Sequence, residues 1–79
     1  MRLTLYGRGY CHLCEDMLRV LEGMQSELHF TVEVIDVDSD PALEARYGEY
    51  VPVLVDPDGL EICHYFLDLT ALTDRLAVR

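Results

Sequence analysis

Leu3-Thr4-Leu5-Tyr6-Gly7-Arg8-Gly9-Tyr10-Cys11-His12-Leu13-Cys14 carries a short strand into a long helix, with a Cys-x-x-Cys at the junction. Leu3, Leu5 and Tyr6 form the strand-like run, which Gly7 and Gly9 end. From there apolar residues recur at Leu13, Met17, Val20, Leu21, Met24 and Leu28, the spacing of a helix with one face on a core. Two cysteines at this spacing fit half a zinc site, a disulfide staple or coincidence when taken alone. The strand before them and the helix after them select redox chemistry.

Working outward, Phe30 to Ile35 is rich in β-branched residues and predicts a buried second strand. Asp40 before Pro41 is a side-chain acceptor at N-cap with proline at the first helical position, and Gly48 after Tyr47 is a stop signal, so a helix of about two turns fits between them. Val51 to Val55 predicts a third strand and Glu61 to Phe66 a fourth. Asp56-Pro57-Asp58-Gly59 is a turn tight enough to pair them antiparallel. Asp68 can cap a last helix along Leu69, Leu72 and Leu76. The predicted order is βαβαββα. Its βαβ half requires parallel strands and a right-handed crossover, and the hairpin extends it to a mixed four-stranded α/β sheet with helices on both faces.

With 79 residues the chain is read as one domain over 1–79, with a correspondingly small core. Apolar residues at 51% and charged ones at 27% are a globular composition. Six basic residues against fifteen acidic ones give a net charge of -9, which disfavours nucleic acid and anionic membrane surfaces as partners. The first residues lack the apolar core of a signal peptide, and no apolar stretch approaches the ~20 residues needed to span a bilayer. A cytoplasmic protein is therefore expected. Three cysteines in that setting suggest a working pair, Cys11 and Cys14, with Cys63 a spectator.

The chemistry follows from the helix. A thiolate, not a thiol, attacks a disulfide, and the unpaired N–H groups and positive dipole end of a first helical turn favour a thiolate at Cys11. Cys14, about one turn on, is placed to resolve a mixed disulfide by attacking the Cys11 sulfur. A protonated His12 and the charge of Arg8 act in the same direction, while Glu15 and Asp16 oppose them. His12 is equally well read as a solvent-exposed loop residue.

The strand, the segment Arg8-Gly9-Tyr10-Cys11-His12-Leu13-Cys14 and the helix resemble the active-site region of glutaredoxins and thioredoxins. Ile35 to Gly48, followed by Val51-Pro52-Val53-Leu54, is similar to the stretch of that superfamily that ends in its cis-proline. The resemblance covers the full length and implies a minimal thioredoxin fold with glutaredoxin-like thiol-disulfide oxidoreductase activity. It also implies a cis peptide between Val51 and Pro52, a rare geometry, whose backbone lies beside the Cys11 sulfur and pairs with a substrate segment as an added strand. Arg8 matches the position where glutaredoxins commonly carry a lysine that contacts a glutathione carboxylate. Asp68 matches their acidic residue for the glutathione amino group, a role that can coexist with capping. Tyr10, Tyr50 and Tyr65 are candidates to line the substrate groove, with ordinary packing as the plainer role.

The sequence departs from that pattern in two places. His64 and Tyr65 stand where glutaredoxins have a glycine pair, so glutathione is left as a candidate co-substrate beside protein disulfides and other small thiols. The proline usual inside the active-site motif is missing, and Tyr10 and Leu5 replace the Trp and buried Asp of thioredoxins. No tightly bound cofactor is expected, and a monomer is. Two other functions remain open. Cys11, Cys14, Cys63 and His64 are an adequate metal set, although adjacent strand residues point to opposite faces, and some glutaredoxins hold an iron-sulfur cluster between protomers. The chain can also be a non-catalytic module that binds a partner along its proline edge.

Overall fold

The computed structural model describes residues 1–77. Strand β1 (Arg2–Gly7) buries Leu3, Leu5 and Gly7 on one face, and its chain turns through Arg8–Tyr10 into helix α1 (His12–Leu28). The helix ends at His29, whose left-handed backbone returns its N–H to the Gln25 carbonyl. Strand β2 (Thr31–Asp36) then lies parallel to β1, with Arg2 opposite Thr31 and Gly7 opposite Asp36. A 3-10 turn (Val37–Ser39) leads to helix α2 (Pro41–Tyr47), where the Asp40 carboxylate accepts the Ala42 N–H at 2.8 Å. Strand β3 (Val53–Val55) runs antiparallel to β1, strand β4 (Glu61–His64) runs antiparallel to β3, and helix α3 (Leu69–Ala77) closes the described chain. Asp68 caps α3 by accepting the Ala71 N–H at 3.0 Å.

The sheet order is β2-β1-β3-β4, the mixed four-stranded arrangement that the sequence implies. Alternation along the strands divides the core in two. Leu3, Leu5, Leu54 and Cys63 face Met17 and Leu21 of α1 and Leu72 of α3. Val53 and Val55 face the other way, against Val37 and Tyr47, and the rings of Tyr6 and Tyr47 stack at 4.2 Å to hold α2 on β1. Helices thus cover both faces. None of the described helices is long and apolar enough to cross a membrane.

The hairpin is fastened by Asp56. Its carboxylate accepts the N–H groups of Asp58 and Leu60, each at 2.9 Å, and the Arg75 guanidinium of α3, while only 6% of the residue is exposed. Burial pushes this carboxyl up, but the Leu60 N–H, Arg75 and the Asp58 N–H outweigh it and hold the group below the usual carboxylate range.

Three expectations are corrected. β2 is not a buried strand: it lies at the sheet edge, Val34 is 52% exposed, and Val32 and Ile35 are half-buried. β3 begins only at Val53, because Pro52 has no N–H to enter the ladder. β4 stops at His64, because the backbone of Tyr65 is left-handed and turns the Phe66 N–H onto the His64 carbonyl.

Candidate active site

Cys11 is the N-cap residue of α1, in extended conformation, and its sulfur accepts the Cys14 N–H at 3.1 Å. A cysteine here takes the place of the Ser, Thr or Asp oxygen that satisfies a first-turn N–H. Cys11 and Cys14 are joined by a disulfide, with their Cα atoms 5.2 Å apart. The two sulfurs sit in different surroundings. Cys11 is half-buried at the helix entrance, whereas Cys14 is 8% exposed and faces β1. Gly7 makes that approach possible, since a Cβ there would lie 3.2 Å from the Cys14 Sγ.

Tyr6 pairs with Val53, so Val51 and Pro52 reach the sheet at the end where β1 delivers the chain to Cys11. The Val51–Pro52 peptide is cis and Pro52 is buried. The Pro52 carbonyl accepts the Tyr65 N–H at 3.0 Å, and the Tyr65 hydroxyl donates to the Glu49 carbonyl at 2.9 Å. Tyr65 therefore ties the segment after β4 to the loop that carries the proline. Its ring joins an aromatic group with Tyr50 and His64, and His64 is held by Glu61 at 2.8 Å.

The other candidate residues are dispersed around this centre. The Arg8 guanidinium is bound to Asp38 at 3.2 Å and to Glu44 at 3.4 Å, and its buried Nε has no hydrogen-bond partner among the described residues. Tyr10 is fully exposed with a left-handed backbone. His12 lies on the solvent side of the first turn, 4.0 Å from Glu15. Asp68 is occupied as the α3 cap. Cys63 lies in the core beneath α1 and α3, and burial pushes its thiol up, while the neighbouring His64 points to the Tyr50 side. The two do not converge on one point, as strand alternation requires. Sequence reading passes over Gly7 as a functional position, and it takes Tyr65 as a groove candidate without its tie to the proline loop. The chain order offers no sign of Gly7, since its role arises only when α1 packs on β1. For Tyr65 a signal exists, as it replaces a glycine of the family pattern.

A parallel pair extended by a hairpin, with helices on both faces and a Cys-x-x-Cys opening α1, defines a thioredoxin-type protein with a close cysteine pair fit for redox chemistry. Residues 2–77 match the model of the glutaredoxin-like domain (DUF836), and the chain belongs to that family. It is similar to a Nitrosomonas europaea protein solved by NMR in solution, with 40% identity, 96% of this chain and 91% of that one covered, and a TM-score of 0.86. The X-ray structure of a protein from X. campestris is similar at 38% identity, covering 94% and 93%, with a TM-score of 0.75. Thioredoxin 1 of Thermosipho africanus shares the fold at 20% identity, covering 94% and 88%, with a TM-score of 0.63. No curated protein matches the chain.

Proposed function

We propose that the protein is a thiol-disulfide oxidoreductase in which Cys11 is the nucleophile and Cys14 the resolving thiol. The observation that carries this is the inequality of the two sulfurs at one helix entrance: Cys11 is reachable and accepts a backbone N–H, while Cys14 is buried against Gly7. In the reduced protein that N–H and the dipole end of α1 favour a negative sulfur at Cys11. The Cys11 thiolate attacks one sulfur of a substrate disulfide, forming a mixed disulfide and expelling the other substrate sulfur as a thiolate. Cys14, losing its proton, then attacks Cys11 and expels the second substrate sulfur. Two electrons reach the substrate, whose two thiolates take one proton from Cys14 and one from solvent, and the Cys11–Cys14 disulfide remains. A small thiol, with glutathione as one candidate, or a dithiol protein returns it to the reduced state. Val51 and Pro52 supply backbone for a substrate segment. We assign this work to a cytoplasmic monomer, where a disulfide of this kind is transient.

The test is reduction of bis(2-hydroxyethyl) disulfide by the reduced protein, followed by mass spectrometry. Cys11→Ser is expected to abolish reduction, and Cys14→Ser to accumulate a mixed disulfide on Cys11. Activity retained in Cys11→Ser and lost in Cys14→Ser would reverse the roles. If no glutathione redox buffer closes the Cys11–Cys14 disulfide, the dithiol mechanism is wrong.

A further inference from the structure

A cavity of about 260 Å³ lies between the first turns of α1 and strands β1 and β2. Leu5, Leu18 and Val34 give it apolar walls, and Gly7 and Cys14 line it beside them. The Cys14 sulfur rests against Gly7, where a Cβ would stand only 3.2 Å away. Cys11 is not part of this wall. The disulfide can therefore be approached in two ways, at Cys11 from the helix entrance and at Cys14 from the cavity.

The two approaches differ in the sulfur they expel. In thiol-disulfide exchange the incoming thiolate bonds to one sulfur and the other leaves with the electron pair, faster when it holds negative charge better. Attack on Cys11 leaves that charge on Cys14, which is 8% exposed, and burial opposes it there. Attack on Cys14 leaves it on Cys11, where the Cys14 N–H at 3.1 Å and the dipole end of α1 favour it. For a thiol small enough to enter the cavity, Cys14 is the easier target.

The charges of the cavity limit which thiol that is. Its charged lining residues are Arg8, Glu15 and Asp36. Arg8 is already engaged by Asp38 and Glu44, Glu15 has His12 at 4.0 Å, and one Asp36 oxygen accepts the Asp38 N–H. Negative charge is thus in excess. A thiol that carries a carboxylate is repelled, whereas an uncharged or cationic one with an apolar body is complementary.

We propose that this cavity admits the reductant, a small uncharged or cationic thiol with an apolar body, which opens the disulfide by attacking the Cys14 sulfur. The thiol loses its proton to solvent and bonds to Cys14, the Cys11–Cys14 bond breaks, and Cys11 leaves as a thiolate. A second molecule of the thiol, also deprotonated, attacks the sulfur of the first. Cys14 is released and takes up a proton, and a small disulfide departs. Two thiols are oxidised and the protein gains two electrons. This rests on the oxidoreductase reading above and adds the class of reductant and the sulfur it attacks.

The test mixes the oxidised protein, in low salt, with benzyl mercaptan or with para-carboxybenzyl mercaptan, which differ by one carboxylate. At equal thiolate concentration benzyl mercaptan is expected to reduce the disulfide about tenfold faster or more. Val34 is 52% exposed and lines the cavity, so a larger side chain there fills it without entering the core. Val34→Phe is expected to slow benzyl mercaptan about fivefold or more. It should leave unchanged the reduced protein's rate on bis(2-hydroxyethyl) disulfide, which proceeds through Cys11. Val34→Lys is expected to narrow the difference between the two thiols. In the unaltered protein, a brief reaction with benzyl mercaptan stopped by iodoacetamide is expected to leave the benzyl thiol on Cys14 and the carbamidomethyl group on Cys11, as read by fragment mass spectrometry. An adduct on Cys11, equal rates for the two thiols, or Val34→Phe as fast as the unaltered protein would overturn the proposal. Failure of the reduced protein to reduce bis(2-hydroxyethyl) disulfide would instead overturn the oxidoreductase reading beneath it.

Discussion

At Gly7 the missing side chain is what admits the Cys14 sulfur. An ideal Cβ would stand 3.2 Å from Sγ and 3.3 Å from Cβ of Cys14, tighter than ordinary van der Waals contact, whereas nothing lies within 4 Å of a Cβ at Gly9. Gly7→Ala is therefore expected to destabilise the disulfide form by about 1–2 kcal/mol, the usual cost of one methyl too many in a packed site. Gly9→Ala should change stability by less than about 0.5 kcal/mol. Urea unfolding of both variants checks the pair, and equal effects would deny that Cys14 is seated against Gly7. At this scale the sequence declares its cysteines and little else about the site. Arg8 looks available in the chain order, and only folding brings Asp38 and Glu44 onto it.

Among the elements, the β3-β4 hairpin depends on Asp56, which binds its own turn through two N–H groups and α3 through Arg75. Since the folded protein holds this carboxyl below its ordinary value, the stabilisation is complete above about pH 4–5 and is lost as pH falls through the lower, folded value. Asp56→Asn is expected to cost about 1–3 kcal/mol at neutral pH. Its difference from the unaltered protein should narrow in denaturation series run from about pH 5 down to about pH 2. A gap independent of pH would mean that the charge at Asp56 contributes nothing. The order βαβαββα was legible because hydrophobic periodicity changes between strand and helix and because Asp40-Pro41, Asp68 and the Asp56-Pro57-Asp58-Gly59 turn carry their own chemistry. What covers each element was not legible. An apolar run such as Thr31 to Ile35 has the same pattern in a central strand and at an edge, and Leu13 and Val20 have the spacing of core residues although both are exposed.

For the whole molecule the net charge of -9 is spread over a chain whose exposed ion pairs, Arg2–Glu33 and Arg19–Asp16 among them, contribute little each. Self-repulsion is then the larger electrostatic effect, and salt should screen it. Tm is expected to rise by a few degrees between about 0.01 M and about 1 M NaCl, and a fall would mean that the ion pairs outweigh the repulsion. Cys63 has a separate consequence at this scale. With Cys11 and Cys14 joined, it is the free thiol, set in the core under α1 and α3. A thiol-labelling reagent reaches it slowly through the pocket beside β4 and fully once that core opens, so the part of the labelling rate that denaturant accelerates keeps time for the opening of the molecule. The protein carries its own unfolding clock, readable without any added probe site.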